Sequence, residues 1–256
     1  MNTLKFAKII GERGIRHLIH HPISMIFTLF SPLVWFFLFG QLFKNVIQIP
    51  NFPADNYLLF VLPGVMGILI LSISLFNANN VVFDKVSGYF AKLLSFPVPR
   101  LSIAMGYAID NLVQILVLVI LLMVIGLPVA GGIASGVLGV VLILWFSIQL
   151  GFALTCLGLS MSLVAPTAWE FFGMVNFIQL PMLFTSSALF PQSFMPEWLR
   201  TVSRINPLSH YVNIVRDLVA FGLDWASVGK TILILLIYNL IFFLMIRAAY
   251  KHVVAV

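Results

Sequence analysis

The sequence predicts an all-helical, polytopic membrane protein, and two observations carry this prediction. Hydrophobic residues make up 61% of the 256 residues and charged residues only 9%, whereas about 25% are charged in soluble domains. Several apolar stretches reach the roughly 20 residues that a helix needs to cross a bilayer. We therefore expect a single transmembrane domain over residues 1–256, with no second folded unit.

Residues 1–22 are expected to form an amphipathic helix in the membrane interface rather than a secretory signal. Charged residues interrupt their apolar pattern, and no cleavage site of small residues follows. On a helical wheel one stripe faces anionic head groups, and it consists of Lys5, Lys8, Glu12 and Arg16. Histidines in the same segment have helical spacing, but no nearby Cys or Asp completes a metal site, so we predict none.

Six transmembrane spans are predicted, with both ends of the chain on one side. The predicted spans are residues 23–43, 57–82, 101–125, 136–161, 169–189 and 226–246. One set of ends and loops carries nine Lys and Arg residues and the other set carries five. Because basic residues accumulate in cytoplasmic loops, we expect both termini and the segment 83–100 to be cytoplasmic.

The segment 83–100, FDKVSGYFAKLLSFPVPR, is the polar stretch around which the rest is organised. Its charged residues would be costly in hydrocarbon, so it lies in water or at the membrane surface. Its apolar residues fall at near-helical spacing, which predicts a short helix with one apolar face. Pro97 and Pro99 end that helix, because proline cannot donate a hydrogen bond inside a helix.

The segment 190–225 is the second unusual region, and we expect it on the non-cytoplasmic side. Pro191, Pro196 and Pro207 divide it into two pieces, 197–205 and 208–221. Both pieces are apolar enough to contact lipid but too short to span it. We therefore predict re-entrant or interfacial helices, covered by protein or lining a wet cavity.

Catalytic chemistry is not supported by the sequence. The eight carboxylates are dispersed, and no Ser-His-Asp pattern is evident. Gly229-Lys230-Thr231 resembles the end of a phosphate-binding loop, but Asp224 occupies the position where the full motif needs glycine. The energy for any active process must therefore come from a partner protein.

Three polar residues lie inside the third predicted span. Asp110 is about 14 Å from the start of that span at 1.5 Å per residue, and an ionisable group at this depth is a functional candidate. Asp110, Asn111 and Gln114 could line a transport path or pair across a dimer. A hydrogen bond that only packs the helices together is an equally open interpretation.

Two segments resemble the permease subunits of type-2 ATP-binding-cassette exporters, the group that includes daunorubicin-resistance and nodulation-factor export permeases. The first is KVSGYFAKLLSFPVPR and the second is LFPQSFMPEWLRTVSRINPLSHYVNIVRDL. The hallmark elements of the second stand in order, and they are Phe190, Pro191, Pro196, Glu197, Trp198, Asn206, Pro207 and Arg216. One departure is Lys85 and Ser87 around Gly88, where relatives often carry acidic residues.

The resemblance implies two permease copies, identical or paralogous, docked on two ATP-hydrolysing subunits that bind ATP and Mg²⁺. This chain would then bind no cofactor. It also implies that the segment 83–97 is a coupling helix in a groove of the ATPase, with Phe90, Leu93 and Leu94 as an apolar ridge. The residues assigned to coupling are Lys85, Gly88, Tyr89, Phe90, Lys92, Leu93, Leu94, Pro97 and Arg100.

The predicted function is ATP-driven export, in a bacterial or archaeal plasma membrane, of a drug-like, lipid-like, glycolipid or polysaccharide substrate. The alternative is a stand-alone ion-coupled carrier or channel, and only Asp110 favours it. A membrane-embedded enzyme is a weaker third option. Nucleic acid is not an expected partner, because the basic residues are scattered over the loops instead of forming one patch.

Overall fold

The computed structural model describes residues 12, 20, 22–43, 57–96 and 100–254, and all regular structure in these ranges is helical. Two pairs of shorter helices interrupt the series of long ones. In chain order the helices are α1 Pro22–Leu42, α2 Tyr57–Phe76, α3 Asn79–Val86, α4 Tyr89–Leu94, α5 Arg100–Ala130, α6 Gly136–Val164, α7 Ala168–Phe184, α8 Glu197–Ile205, α9 Pro207–Ala220 and α10 Trp225–Val254. A 3₁₀ turn, Gln192–Phe194, precedes α8.

Five helical stretches of the described chain are long and apolar enough to cross a membrane. They are Met25–Leu42, Tyr57–Val86, Leu101–Ala130, Gly136–Val164 and Trp225–Tyr250. This confirms the prediction of an all-helical polytopic membrane protein. The remaining predicted span corresponds to α7, which has 17 residues and is at the lower limit of about 17–25 residues for a crossing. The count of six spans therefore stays a prediction.

Several predicted boundaries differ from the structure: α2 ends at Phe76 instead of residue 82, and α10 continues to Val254 instead of residue 246. Helix α5 continues through Pro128 to Ala130, and the chain turns only at Gly131 and Gly132, whose φ angles of 110° and 102° favour glycine. Helix α7 ends at Phe184 instead of reaching residue 189. At this end the Thr185 hydroxyl donates to the Pro181 carbonyl at 2.8 Å and so satisfies one of the last carbonyl groups of the helix.

Helix α2 lies at the centre of the bundle. Most of its residues are buried, and it packs against α1, α5, α6, α7 and α9. Helix α6 packs against α2, α5, α9 and most extensively against α10. The buried core therefore runs along α2 and α6, while α1 and α7 expose much of their apolar surface.

The bundle has two distinct ends. The end of α1 and the start of α2 meet where Phe43 contacts Tyr57 and Phe190. The turn between α5 and α6 binds the end of α9, because the amide of Ser135 donates to Leu218 at 3.2 Å. We call this the hairpin end, and we call the opposite end, where α3 and α4 lie, the coupling end.

Helices α8 and α9 form a hairpin whose vertex reaches about half the depth of the bundle. A Cβ atom on Gly67, ten residues after the start of α2, would lie 2.7 Å from Leu208. The hydroxyl groups of Ser147 on α6 and Tyr211 are 3.0 Å apart, and Ser147 is eleven residues after the start of α6. At 1.5 Å per residue both contacts lie about 15 Å from the hairpin end. This placement agrees with the predicted re-entrant helices.

Several residues of the predicted sites lie outside the described part of the chain. Of the expected interfacial helix, Glu12 and His20 are described, and both are helical. Lys5, Lys8 and Arg16 lie outside the described residues, and so does Pro97 of the coupling segment.

Candidate coupling and translocation sites

The coupling segment consists of α3, a tight turn and α4. Gly88 has a φ angle of +76°, a left-handed conformation that glycine adopts without a steric penalty. The turn is closed by the amide groups of Ser87 and Gly88, which donate to Phe83 at 2.9 Å and Lys85 at 3.2 Å. Gly88 therefore has a specific backbone function, to redirect the chain between the two short helices.

Lys85 attaches this segment to the end of α6. Its ammonium group donates hydrogen bonds of 3.2, 2.9 and 2.8 Å to three carbonyl oxygens, those of Ser162, Leu163 and Ala165. The last carbonyl groups of a helix have no partner within the helix, and the negative end of the helix dipole favours a cation there. Lys85 thus caps α6 and fixes it to α3.

A second attachment joins the segment to α5. The Tyr107 hydroxyl, at the start of α5, donates a short hydrogen bond to the Asp84 carboxylate. Tyr107 is buried and Asp84 is half-buried, so solvent competes little for this bond. Asp84 and Lys85, adjacent in sequence, therefore bind the ends of two different long helices.

The apolar face of α4 points into the chain's own core. Phe90 and Leu93 are each only 4% exposed and belong to the main hydrophobic cluster, and Leu94 packs against it. The sequence interpretation placed these residues on a ridge in a groove of the ATPase. The structure corrects that placement for Phe90 and Leu93, because side chains buried in their own bundle are not available to a partner. Leu94 is half-buried, and its contact with an ATPase stays a prediction.

A different set of side chains forms the exposed face of the coupling segment. Val86 is 74% exposed, Phe96 is 45% exposed and Tyr89 is 38% exposed. Lys92 is also exposed and lies on α4 between the two aromatic residues. Arg100 is the first residue of α5. Among the described side chains, the exposed face therefore combines apolar groups with the cation of Lys92.

Two of the three polar residues in the third predicted span belong to a hydrogen-bond network inside the bundle. Asn111 is 3% exposed and donates to the Thr155 hydroxyl at 2.8 Å and to the Ser74 carbonyl at 3.3 Å. The Asn77 amide donates to Asn111 at 3.1 Å and also to Gln114. For Asn111 and Gln114 the contacts therefore favour helix packing between α2, α5 and α6.

Asp110 has a different environment from its neighbour Asn111. It is half-buried, and it takes part in an interaction within the chain. Its assignment to a transport path or a dimer contact stays a prediction.

An apolar cavity of 580 Å³ lies between α1, α2 and α7. Aromatic and aliphatic side chains form most of its wall, including Trp35, Phe39 and Phe184. Its polar groups are few, and one pair is the Gln179 amide, which donates to the Ser72 hydroxyl at 3.1 Å. The Gln179 carbonyl oxygen is buried and has no hydrogen-bond partner in the described chain. The sequence analysis did not single out this cavity.

Asn206 and Pro207 explain how the vertex of the hairpin is stabilised. The Asn206 side chain accepts a hydrogen bond of 2.9 Å from the Leu208 amide, which is the N-cap geometry, and proline is favoured at the next position. The Asn206 amide also donates to the Met182 carbonyl at 2.6 Å and to the Thr185 hydroxyl at 3.0 Å. One side chain thus starts α9 and binds the end of α7.

Arg216 is a buried cation on α9, 6% exposed. It donates hydrogen bonds to the carbonyl oxygens of Phe60 at 3.2 Å and Ser187 at 3.0 Å. Its guanidinium carbon lies 3.7 Å from the centre of the Phe60 ring, a cation–π geometry. Burial lowers the pKa of Arg216 to about 9, so the side chain stays charged at neutral pH and holds α9 against α2.

The remaining hallmark residues surround the approach to α8. Phe190 is 52% exposed and contacts Phe43, while Pro191 is buried. Pro196, Glu197 and Trp198 lie at the exposed start of α8. These three residues form part of the hairpin surface, and the buried hydrogen bonds described above do not involve their side chains.

Two features of the hairpin were not predicted from the sequence: the hydrogen bonds of Arg200 and a series of hydrogen-bonded serines. Arg200 donates three hydrogen bonds of 3.1–3.2 Å to the carbonyl groups of Gln192, Ser193 and Met195. The Ser203 and Ser209 hydroxyls are 3.0 Å apart, and Ser209 accepts from the Ser187 amide at 3.2 Å. The sequence contained a signal for both features. Polar side chains in so apolar a segment are expected to be buried, and buried polar groups form hydrogen bonds.

Comparison with known proteins identifies the family of this chain. Residues 6–220 match the ABC-2 type transporter family. A relative named "Putative transport permease ycf38", from Cyanophora paradoxa, is 29% identical over 260 residues and is matched over 96% of this chain and 89% of its own length. The "Daunorubicin resistance ABC transporter permease protein DrrB1" of Streptomyces coeruleorubidus is 23% identical over 210 residues, 82% of this chain and 73% of the relative.

A third relative is the "Probable multidrug ABC transporter permease YbhR" of Escherichia coli (strain K12). It is 23% identical over 193 residues, which cover 71% of this chain and 50% of the relative. The family match extends over most of the chain and includes both the coupling segment and the hairpin. The chain therefore belongs to the ABC-2 type transporter family and is a membrane subunit of an ABC transporter.

Proposed function

We propose that this permease exports an amphipathic substrate and that ATP hydrolysis in a separate partner subunit drives the export. The observation that carries the proposal is the two-sided coupling segment. One side is anchored to long helices by Lys85, Asp84 and the buried Phe90. The other side presents Val86, Tyr89, Lys92 and Phe96 to whatever lies beyond the bundle.

The anchoring makes the segment suitable as a lever. A push on the exposed face of α4 is transmitted to α6 through Lys85 and to α5 through the Asp84–Tyr107 bond. Tightly packed protein interiors transmit strain instead of absorbing it. A partner that closes on ATP binding and opens after hydrolysis could therefore move the long helices through these two bonds.

The cavity between α1, α2 and α7 supports an amphipathic substrate. Its volume of 580 Å³ lies within the roughly 300–1,000 Å³ of small-molecule sites. Its wall is mainly apolar, and the unpartnered oxygen of Gln179 offers one hydrogen-bond acceptor. A ligand with a large apolar body and a few polar groups fits this chemistry best.

The complete transporter in this proposal has two permease copies and two ATPase copies, with ATP and Mg²⁺ bound to the ATPase. Both termini and the coupling segment face the cytoplasm, and the membrane is a cell membrane. The nine-to-five excess of basic residues supports this orientation.

The proposal can be tested by purifying the tagged permease from its native cells in mild detergent. We expect a soluble ATPase to co-purify in equal amount and its ATP hydrolysis to depend on the permease. Tyr89→Asp combined with Lys92→Glu should abolish this association and leave the permease folded, because both side chains are exposed. Trp225→Asp, exposed at the opposite end, is the matched control and should retain the ATPase.

The rival function makes the opposite prediction. A stand-alone carrier would purify without an ATPase and would move solute into vesicles without ATP. That result would overturn the proposal, and Asp110 would become the first residue to test as an ion site.

A further inference from the structure

An open groove of 890 Å³ runs between α9 and α10 at the hairpin end, away from both the coupling segment and the apolar cavity. The residues of α9 on its wall include His210, Asn213 and Asp217. The end of α8 contributes Arg204, and α10 supplies the opposite wall. We call this the α9–α10 groove. None of the roles assigned above to the hairpin or the coupling segment uses it.

The wall formed by α10 changes from polar to apolar along its length. Ser227, Lys230 and Thr231 line the groove near the start of the helix. Ile234, Ile237 and Ile241 follow on the same side, at the spacing of three and four residues that places side chains on one helical face. The α10 wall of the groove is therefore polar near the start of the helix and apolar further along, an arrangement that suits a lipid.

Positive charge is in excess in this groove. Arg204 and Lys230 both line it and both are exposed, whereas Asp217 is the one carboxylate among the described lining residues. Burial lowers the pKa of His210, so its imidazole adds no charge at neutral pH. The sum of two cations and one carboxylate favours an anionic ligand.

Lys230 and Arg204 lie so deep, measured along α10, that each charge needs an anionic partner or water. Lys230 lies five residues after Trp225, about 7.5 Å along α10. Arg204 lies at the vertex of the hairpin, where the carbonyl of its neighbour Ile205 accepts a hydrogen bond from Tyr238. Tyr238 is thirteen residues after Trp225, about 20 Å along the helix. A cation at such depth is costly in bare hydrocarbon.

We infer that the α9–α10 groove binds one anionic phospholipid. Its phosphate lies at Lys230 near the mouth, the long side chain of Arg204 approaches it from the hairpin vertex, and an acyl chain runs along the isoleucines of α10. Arginine and lysine are the preferred partners of phosphate oxygens, and the hydroxyl of Thr231 offers a further donor beside them. The inference does not depend on which substrate the permease exports.

Native mass spectrometry of the purified permease tests this directly. The protein is reconstituted in nanodiscs that contain equal amounts of phosphatidylglycerol and phosphatidylcholine, then released into detergent. We expect one phosphatidylglycerol retained per chain in preference to phosphatidylcholine. Lys230→Gln combined with Arg204→Gln should weaken this retention about thirtyfold, since each basic residue near anionic lipid contributes a factor of about five.

Two further variants separate the site from general charge and from misfolding. Arg247→Gln removes a positive charge from an exposed position outside the groove, and it should leave retention unchanged. Ile237→Trp fills the groove without changing charge and should displace the lipid. Melting temperatures within about 2 °C of the wild type would show that each variant is folded.

Four results would overturn the inference. The first is equal retention of phosphatidylglycerol by the double variant and the wild type. The second is equal retention of both lipids by the wild type. The third is release of the bound lipid by millimolar inorganic phosphate, which would identify a site for small anions. A second permease copy that covers the groove would also prevent lipid retention and contradict it.

Discussion

The two ends of this permease use buried polar residues in opposite ways. At the hairpin end, Arg216 and Asn206 bind carbonyl groups and hold a piece of chain that enters the bundle. At the coupling end, Lys85 and Asp84 bind the ends of α6 and α5 and hold a piece that projects from it. The hairpin end thereby holds a segment inside the bundle, while the coupling end leaves one face of its segment exposed.

The largest expected effect separates the two faces of α4. Phe90→Ala should lower the free energy of unfolding by about 3 kcal/mol, because it removes a buried aromatic ring and leaves a cavity. Tyr89→Ala, next to it but exposed, should change stability by less than about 0.5 kcal/mol. Denaturant titration in detergent measures both. Similar losses for the two variants would break the distinction between an anchored and an exposed face.

Next in size is the buried cation of the hairpin. Arg216→Met leaves the carbonyl groups of Phe60 and Ser187 without their donor, and an unsatisfied buried group costs about 1–3 kcal/mol. We expect a loss of about 2 kcal/mol in the same titration. Arg247→Met, exposed on α10, is the control and should be nearly neutral. If both arginines were equally dispensable, the hairpin would not be held as described.

Asn206 should have a smaller effect on the same hairpin. Asn206→Ala removes the N-cap of α9 and the bond to α7, and the loss of a cap costs about 1 kcal/mol. Asn176→Ala, which removes an exposed asparagine from α7, is the matched variant. We expect a lower melting temperature for the first variant and little change for the second. An unchanged melting temperature for Asn206→Ala would speak against its role at the vertex.

The smallest effect on stability should be the most informative for function. Lys85→Met removes the side chain that caps the C-terminal end of α6. It should lower the free energy of unfolding by about 1 kcal/mol or less. If α3 transmits movement to α6 through this side chain, transport should fall at least tenfold while ATP hydrolysis continues. Simultaneous assays of transport and ATPase activity in vesicles measure this. Transport and hydrolysis that stay coupled would show that Lys85 is only structural.

The two short helices of the hairpin could be predicted from the sequence, because the residues that mark them lie within one short segment. The proline positions divide the segment into the two pieces that form α8 and α9, because proline is disfavoured inside a helix and favoured at its first position. The existence of the coupling helix was also predictable, from charges flanking an apolar pattern. The orientation of this helix could not be predicted. Apolar side chains such as Phe90 and Leu93 can be buried equally well in the core of their own chain or in a groove of a partner.

The polar residues of α5 show the same limit. A helical pattern places Asn111 and Gln114 near one another, but it does not identify which neighbouring helix they face. That depends on the approach of α2 and α6, which brings Ser74 and Thr155 to Asn111. Long-range packing of this kind is not encoded in the spacing of a single segment.

Labelling of engineered cysteines at the coupling end tests the central claim most directly. Cys156 is the only cysteine and is buried, so Tyr89→Cys, Lys92→Cys and Phe90→Cys can be compared in a Cys156→Ala background. The account predicts rapid reaction of the first two with a hydrophilic maleimide, slow reaction of the third, and protection of the first two when the ATPase is assembled. Reaction of Phe90→Cys as fast as Tyr89→Cys, or no protection by the ATPase, would contradict it.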